Sequence, residues 1–395
     1  MDVKRLLEKE TPYYLYDLEL LEDTLKKLKN EIEPHKNYHV HYAIKANANP
    51  LILNVIKKIG LGIDCVSGGE IKASLQTGFP SNSIVFAGVG KTDREIDTAL
   101  DNDIFCFNVE SIEEVAVINE RSAIKNKIAR ICLRINPDVD AHTHANITTG
   151  LAENKFGLSK DRIQECIKQT MNYGNISLIG LHFHIGSQLL NMEPYKMLCN
   201  EINALQDYLD THGLTLKIIN VGGGLGVDYD TPHLHPIPDF HSYFKVFNDN
   251  LQLRDGQELH FELGRSIVAQ CGSLITKTLY VKRGLVKKHV IVDAGMTELI
   301  RPALYDAFHK IDNLSKNCPI KLCDAKYDYH IPMQKYDVVG PICESSDVFV
   351  ENYEMPETER GDILAIRSAG AYGETMSSTY NLRPLVKSYS FNDFM

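Results

Sequence analysis

The chain has 395 residues, 24% of them charged and 44% hydrophobic, and a formal net charge of -10. That length suits two domains with a sizeable core, and the composition is ordinary for a soluble globular protein. The acidic balance argues against nucleic acid as a general partner, because no surplus of Lys and Arg exists to neutralise phosphates, and no apolar run nears the roughly 20 residues of a membrane span.

The first residues, Met1-Asp-Val-Lys-Arg-Leu-Leu-Glu8, are charged and lack the apolar core of a signal peptide. Nine cysteines without a CxxC pair read as reduced thiols of a cytoplasmic protein. Tyr13 to Tyr16 reads as a short strand, and a charged helix follows with Leu18, Leu20, Leu21, Leu25 and Leu28 along its apolar stripe. Short apolar, β-branched runs then recur at 39–44, 62–66, 84–87, 104–108, 129–135, 178–185, 217–221 and 258–262. Segments of helical spacing separate them, among them 51–59, 70–77, 93–101, 111–119, 160–171 and 195–208. Eight strands alternating with helices over roughly 230 residues predict an α/β fold of the (β/α)8 TIM-barrel type. An open doubly wound sheet uses the same alternation, but the number of repeats favours the barrel. After about residue 270 the pattern changes to strands joined by turns: 273–282, 289–293, 336–339, 346–350 and 362–366. This predicts a barrel over 30–268 and a β-domain built from 1–29 and 269–395.

The strand ends carry the chemistry. The first barrel strand ends in Tyr42-Ala-Ile-Lys-Ala-Asn47, which delivers one ammonium, Lys45. A strand-end lysine is ordinarily solvated, and only a partly desolvated one condenses with a carbonyl. The second ends in a Ser-Gly-Gly turn, 67–69, before Glu70. The sixth carries His182-Phe-His-Ile-Gly-Ser-Gln188, and alternation puts His182 and His184 on one face. That pair invites a metal, but no third ligand stands at a helpful spacing, so no metal site is predicted. Stacking of His184 on a flat cofactor, with Ser187 near its phosphate, fits better.

The seventh ends in Val221-Gly-Gly-Gly-Leu-Gly226. There Gly222, Gly223 and Gly224 let backbone N–H groups converge on a phosphate, and a phosphate site after strand seven is frequent in such barrels. The dinucleotide fingerprint fails, since its third glycine would fall on Val227. Gly88-Val-Gly-Lys-Thr92 is a decoy, because the first glycine of a P-loop would be Val85. The eighth ends in Phe261-Glu-Leu-Gly-Arg265. Glu262 is either one half of an ordinary ion pair with Arg265 or the acidic partner of a pyridine nitrogen. Amine, imidazole, glycine nest and carboxylate together make the kit for pyridoxal phosphate.

On these residues the chain resembles the diaminopimelate decarboxylases, in the alanine-racemase-fold group (fold type III) of pyridoxal-phosphate enzymes. The match runs nearly end to end. It includes Tyr-Ala-Ile-Lys-Ala-Asn at 42–47, Val-Ser-Gly-Gly-Glu at 66–70, Thr-Gly-Leu with Lys-Phe-Gly within 149–157, and His-Ile-Gly-Ser-Gln at 184–188. It continues through the glycines 222–224, Asp-Ala-Gly-Met at 293–296, Ile-Arg-Pro-Ala-Leu-Tyr at 300–305, Cys-Glu-Ser-Ser-Asp at 343–347 and Gly-Ala-Tyr-Gly at 370–373. The chain departs at Leu263, where proline is usual, and at Thr379, where asparagine is; neither replaces a reacting group.

The resemblance implies that Lys45 holds the cofactor, His184 stacks on it, and Glu262, Gly264 and Arg265 adjoin it. Ser187, Gly222, Gly223, Gly224 and Tyr372 serve its phosphate. Arg265, Arg301, Tyr305, Glu344 and Tyr372 bind the amino-acid substrate, and Cys343 donates a proton. It also implies a homodimer with shared active sites, Cys343 and Glu344 coming from the other subunit. The activity implied is decarboxylation of meso-2,6-diaminopimelate to L-lysine, the last step of lysine biosynthesis. Arg301, Tyr305 and Glu344 offer partners for the ammonium and the carboxylate at the far end of that substrate, where a diamine precursor needs acid only.

The rivals are decarboxylases of ornithine, arginine or carboxynorspermidine, a racemase on the same fold, and a non-catalytic cofactor-binding protein. The last is disfavoured by the 343–347 and 370–381 segments. Asp138 to Gly150, with His142 and His144, reads either as a closing lid or as a solvated loop.

Overall fold

The computed structural model describes residues 3–139, 155–316, 318–322 and 331–394. They fall into two compact units: Leu25–Gly226 with Asp239–Gly264, and Met1–Thr24 with Val227–Pro238 and Arg265–Met395. Residues 227–238, which the sequence pattern leaves inside the barrel, group with the second of these. Of the stretch read as a lid or loop, all but Asp138 and Val139 lies outside the described residues.

Strand β1 (Tyr13–Tyr16) belongs to the β-sheet unit. The barrel strands are β2 (Tyr38–Ala43), β3 (Gly62–Cys65), β4 (Ile84–Phe86), β5 (Cys106–Val109) and β6 (Ala129–Asn136). After the two-residue β7 (Leu158–Ser159), which among the described residues pairs only with β6, come β8 (Ile176–His182), β9 (Ile218–Asn220) and β10 (Glu258–Leu263). Every pairing is parallel, and the ring runs 2-3-4-5-6-8-9-10 before β10 closes on β2. The predicted closed barrel is therefore present.

Helix starts are fixed by side chains that satisfy the first N–H groups. Asn49, Ser67, Thr92, Ser111 and Asp239 cap the helices at 50–59, 68–77, 93–101, 112–124 and 240–250, and Thr92 with Glu95 forms a full capping box. Alternation along β10 divides its side chains. Phe261 packs against Phe244 and Phe247 of helix 240–250, with ring centroids 4.9 and 5.3 Å away. The alternate residue Glu262 reaches across to polar partners on β5, β8 and β9. Val85, Cys106, Cys132 and Ile218 form an apolar cluster among the barrel strands.

The β-sheet unit continues with β11 (Gly272–Arg283), β12 (Lys288–Val292), β13 (Ile311–Asn313), β14 (Met333–Val339), β15 (Val348–Pro356), β16 (Ile363–Ile366) and β17 (Ser388–Ser390). The sheet order is 13-16-11-12-14-15, and β1 pairs with β11 and β17. Leu6, Tyr13, Leu15, Ile275, Leu314, Ile363, Ala365 and Phe394 make one core cluster, so both ends of the chain are tied into this unit.

Candidate active site

Lys45 stands on a turn that three asparagine-centred bonds hold rigid. The Tyr42 hydroxyl donates to the Asn47 carbonyl at 2.8 Å, Asn47 Oδ1 accepts from the Asn49 N–H at 2.8 Å, and Asn49 Oδ1 caps the next helix at Leu51 N, 2.9 Å away. Within the one-turn helix Ile44–Ala46, Ile44 and Ala46 are buried and Lys45 projects outward, its side chain 42% exposed. Its Nζ lies 4.0 Å from Asp64 Oδ2, at the end of the neighbouring strand. Burial, with Glu262 nearby, pushes the Asp64 carboxyl well above its ordinary value, while Lys45 pulls the other way.

Glu262 is the best-held acid in the barrel. Its Oε1 accepts from Asn108 Nδ2 and Asn220 Nδ2, each at 2.7 Å, and its Oε2 lies 3.0 Å from His182 Nε2. Burial alone would raise this carboxyl, but the His182 imidazole, Lys45 and Asn220 outweigh it and hold Glu262 well below the usual carboxylate range. A buried carboxylate held ionised is what a protonated pyridine nitrogen requires. Gly264 closes the strand. A Cβ there would stand 3.1 Å from Ala43 Cβ and 3.2 Å from Ala46 Cβ, so glycine lets β10 pass close beside the Lys45 turn.

Strand β8 ends at His182, so the alternation expected to put His182 and His184 on one face stops short of His184. His182 turns to Glu262, whereas His184 Nδ1 accepts from the Gly223 N–H at 3.2 Å. Burial, reinforced by Arg134 and Lys45, drives the His184 pKa well below its ordinary value, leaving a neutral ring whose lone pair is already engaged.

The three glycines answer first to packing. A Cβ on Gly223 would lie 2.0 Å from the Glu262 carbonyl oxygen, and one on Gly222 would lie 2.7 Å from His184 Nδ1. Gly222 N–H donates to Asn220 Oδ1 at 2.9 Å and Gly223 N–H to His184, which leaves Gly224 as the only one of the three amides without an acceptor among the described residues. Leu189 pairs with this loop, its N–H donating to Gly224 O and its carbonyl accepting from Gly226 N, each at 2.9 Å. That pairing brings the half-buried Ser187 alongside the glycines.

In the β-sheet unit, Arg265, Arg301 and Tyr372 converge on a residue that the sequence reading passed over, Tyr229. Its phenol oxygen accepts from Arg265 Nη1 at 2.7 Å and Arg301 Nη1 at 2.9 Å. Burial would raise this phenol, but the two guanidiniums overcome that and pull it below its ordinary value. Arg265 also lies over the Tyr372 ring, 4.8 Å from its centroid. Arg301 meets His309 Nε2 at 2.8 Å, and His309 Nδ1 donates to the Arg367 carbonyl at 2.8 Å. Tyr305 ends the helix Arg301–Tyr305 and is half-buried.

Cys343 and Glu344 stand apart from this cluster on an exposed turn. Glu344 Oε1 accepts from the Tyr380 hydroxyl at 2.6 Å, and the Cys343 N–H donates to Asn381 Oδ1 at 3.1 Å. Among the described residues no contact joins Glu344 to Arg301 or Tyr305 within the chain.

The sequence pattern gives no role at this site to Asn108, Asn220, His182, Asp64 or Tyr229, although it brings out His182 as half of a possible metal pair. The signal for the first four was there, since each is a polar residue at or next to the end of an apolar barrel strand. Pyridoxal phosphate fits the barrel residues. The amine, the ionised buried acid, the neutral imidazole and the Gly224 amide are the donor set it needs. In addition, the buried His182 Nδ1 and Asp64 Oδ1 have no hydrogen-bond partner among the described residues.

Residues 18–269 match the family described as pyridoxal-dependent decarboxylase, pyridoxal binding domain. Diaminopimelate decarboxylase of Bacteroides thetaiotaomicron is 54% identical over 386 residues, 98% of this chain and 97% of that one. The enzyme of the same name from Aquifex aeolicus is 38% identical over 375 residues, 95% of this chain and 85% of its own. The crystal structure of diaminopimelate decarboxylase from Helicobacter pylori complexed with L-lysine superimposes with a TM-score of 0.90 at 37% identity, covering 99% of this chain and 94% of that chain.

Proposed function

The chain belongs to the diaminopimelate decarboxylases, within the pyridoxal-dependent decarboxylase family, and from that premise we propose that it converts meso-2,6-diaminopimelate to L-lysine and carbon dioxide. The observation that carries this reading is Glu262, buried, held ionised by three polar side chains and set on the strand next to that of Lys45. When bound, pyridoxal phosphate supplies a protonated ring that accepts the electron pair left by the departing carboxyl group.

The protein's own residues do the rest. Lys45 gives the amine that holds the cofactor, and Glu262 accepts the ring N–H. His184 keeps a neutral face fixed by Gly223, and the Gly224 amide with Ser187 receives the phosphate. Arg265 and Arg301 offer guanidiniums to carboxylates, and Tyr305 and Tyr372 offer hydroxyls. The Cys343 thiol donates a proton to the α-carbon after decarboxylation. In this reading the barrel, 30–268, carries the cofactor, and the β-domain supplies substrate contacts.

The exposure of Cys343 and Glu344 supports a homodimer in which each serves the site of the other subunit. Leu382 and Leu385, 96% and 61% exposed and near Tyr380 and Asn381 in sequence, give that turn the apolar margin an interface needs. Among the described residues no helix is long and apolar enough to cross a membrane. The eight described cysteines are free thiols, which supports a reducing, cytoplasmic setting.

The test is carbon dioxide release by the purified holoenzyme. Turnover of meso-diaminopimelate well above that of ornithine and arginine is expected, and comparable rates overturn the assignment. In the same assay, mixing inactive Lys45→Ala with inactive Cys343→Ala chains restores part of the turnover if sites are shared. Absence of any rescue removes the shared-site reading.

A further inference from the structure

The N-terminal ends of the barrel strands carry a second polar cluster that this chemistry leaves unused. His39 on β2 and His260 on β10 are directly paired residues of adjacent parallel strands, and Glu258 lies two residues before His260 on the same strand face. One side-chain N or O atom from each of the three lies within 4.8 Å of the others. The position is the seam where the first barrel strand meets the last, at the opposite end of the strands from Lys45 and Glu262.

The buried neighbour His41 sets how His260 is turned. His41 Nδ1 is 3.2 Å from the Ser83 carbonyl oxygen, which only accepts, so Nδ1 carries hydrogen. His41 Nε2, 2.9 Å from His260 Nδ1, is then the acceptor in that pair when His41 is neutral, and His260 holds its hydrogen on Nδ1. That leaves His260 Nε2 pointing at Glu258 Oε2, 3.4 Å away. Two lone-pair atoms so placed call for a positive centre between them. Lys217 neutralises the other oxygen, Oε1, at 3.0 Å, and leaves Oε2 turned inward.

We propose that His39, Glu258 and His260 form a binding site for a zinc-like divalent cation that staples β2 to β10. Two imidazoles and a carboxylate with a fourth, water-filled position are a donor set such an ion takes. The relay from Ser83 through His41 is the outer-shell orientation that metal-binding histidines ordinarily have. Ligand bonds of about 2.0–2.2 Å require the three atoms to draw closer together. His39, which is exposed, can swing to close the gap. The ion touches no group of the reaction, so its role is to lock the barrel seam.

The test is calorimetric titration of chelator-treated holoenzyme with zinc chloride, read beside the thermal midpoint. Wild type binds one equivalent at this site and its midpoint rises. His39→Ala weakens that binding at least tenfold, Glu258→Gln does likewise, and His39→Cys, which keeps a zinc donor, retains it. Binding equal to wild type in both His39→Ala and Glu258→Gln overturns the site, as does no binding at all. In the latter case the positive centre is a proton shared by His260 and Glu258.

Discussion

Tyr229 gives one phenol oxygen to two buried guanidiniums, an arrangement with a cost if that oxygen is removed. Arg265 and Arg301 would then lose the phenol oxygen they share and face each other as like charges. Losing a hydrogen bond to a charged group costs about 1.5–3 kcal/mol. Tyr229→Phe is expected to lower the melting temperature and to raise KM for diaminopimelate roughly tenfold, with a smaller effect on kcat. Unchanged KM and melting temperature would show that the two arginines position themselves. Lys45, His184 and Glu262 were legible in the sequence because each stands out against an apolar strand. Tyr229 was not, because it lies in a short polar insert, and its partners are 36 and 72 positions away. Asn108 and Asn220 were hidden similarly: an asparagine at a strand end reads as a turn residue until Glu262, 154 and 42 positions away, is seen to face it.

The glycine loop after β9 illustrates what alternation and composition leave out. The sequence reading assigns all three glycines to phosphate, but two of their amides are engaged by Asn220 and His184. The Gly223 site is filled to within 2.0 Å by the Glu262 carbonyl. Gly223→Ala is therefore expected to push β10 outward, costing about 1–3 kcal/mol by overpacking, and to weaken cofactor binding because Glu262 moves with its strand. Thermal melting and titration of the cofactor's visible absorbance measure both. Gly60→Ala is the control. Its φ of 85° is strained for alanine at roughly 1–2 kcal/mol, but no atom lies within 4 Å, so cofactor affinity stays intact. Equal effects of the two substitutions on cofactor affinity would exclude the packing argument. All eight barrel strands and the principal β-domain strands were legible from periodicity. The three-residue strands β13 and β17 were not, since they complete a sheet through long-range pairing rather than through any pattern of their own.

Both compact units bury imidazoles that stay neutral, His184 and His41 in the barrel unit and His309 in the β-sheet unit. Burial, with His260 beside it, drives His41 in the barrel down to about 3. Burial and Arg301 do the same to His309 in the β-sheet unit, also to about 3. The unfolded chain takes up these protons near pH 6.5. Both groups are thus neutral in both states above pH 6.5 and cost nothing there. As pH falls from about 6.5 toward 3, only the unfolded state binds the proton, and stability is lost by up to about 4 kcal/mol per group. Denaturant titrations between pH 7 and 4 are expected to show this slope, and His309→Asn to flatten it. A variant as acid-sensitive as wild type would place the loss in other groups.

Lys45 follows β2 and Glu262 lies on its neighbour β10, although these two strands join residues as far apart in sequence as His41 and His260, 219 positions. A polypeptide leaving the ribosome therefore displays its amine long before it has made the acid beside it. Ring closure over such a span is among the later events of barrel assembly. A fragment that stops short of Glu258 carries the lysine but not the carboxylate, and so has half of a clasp. If Lys45 and Glu262 hold the cofactor as proposed, full cofactor affinity is expected only once synthesis has passed the eighth barrel strand and the two ends of the cylinder have met.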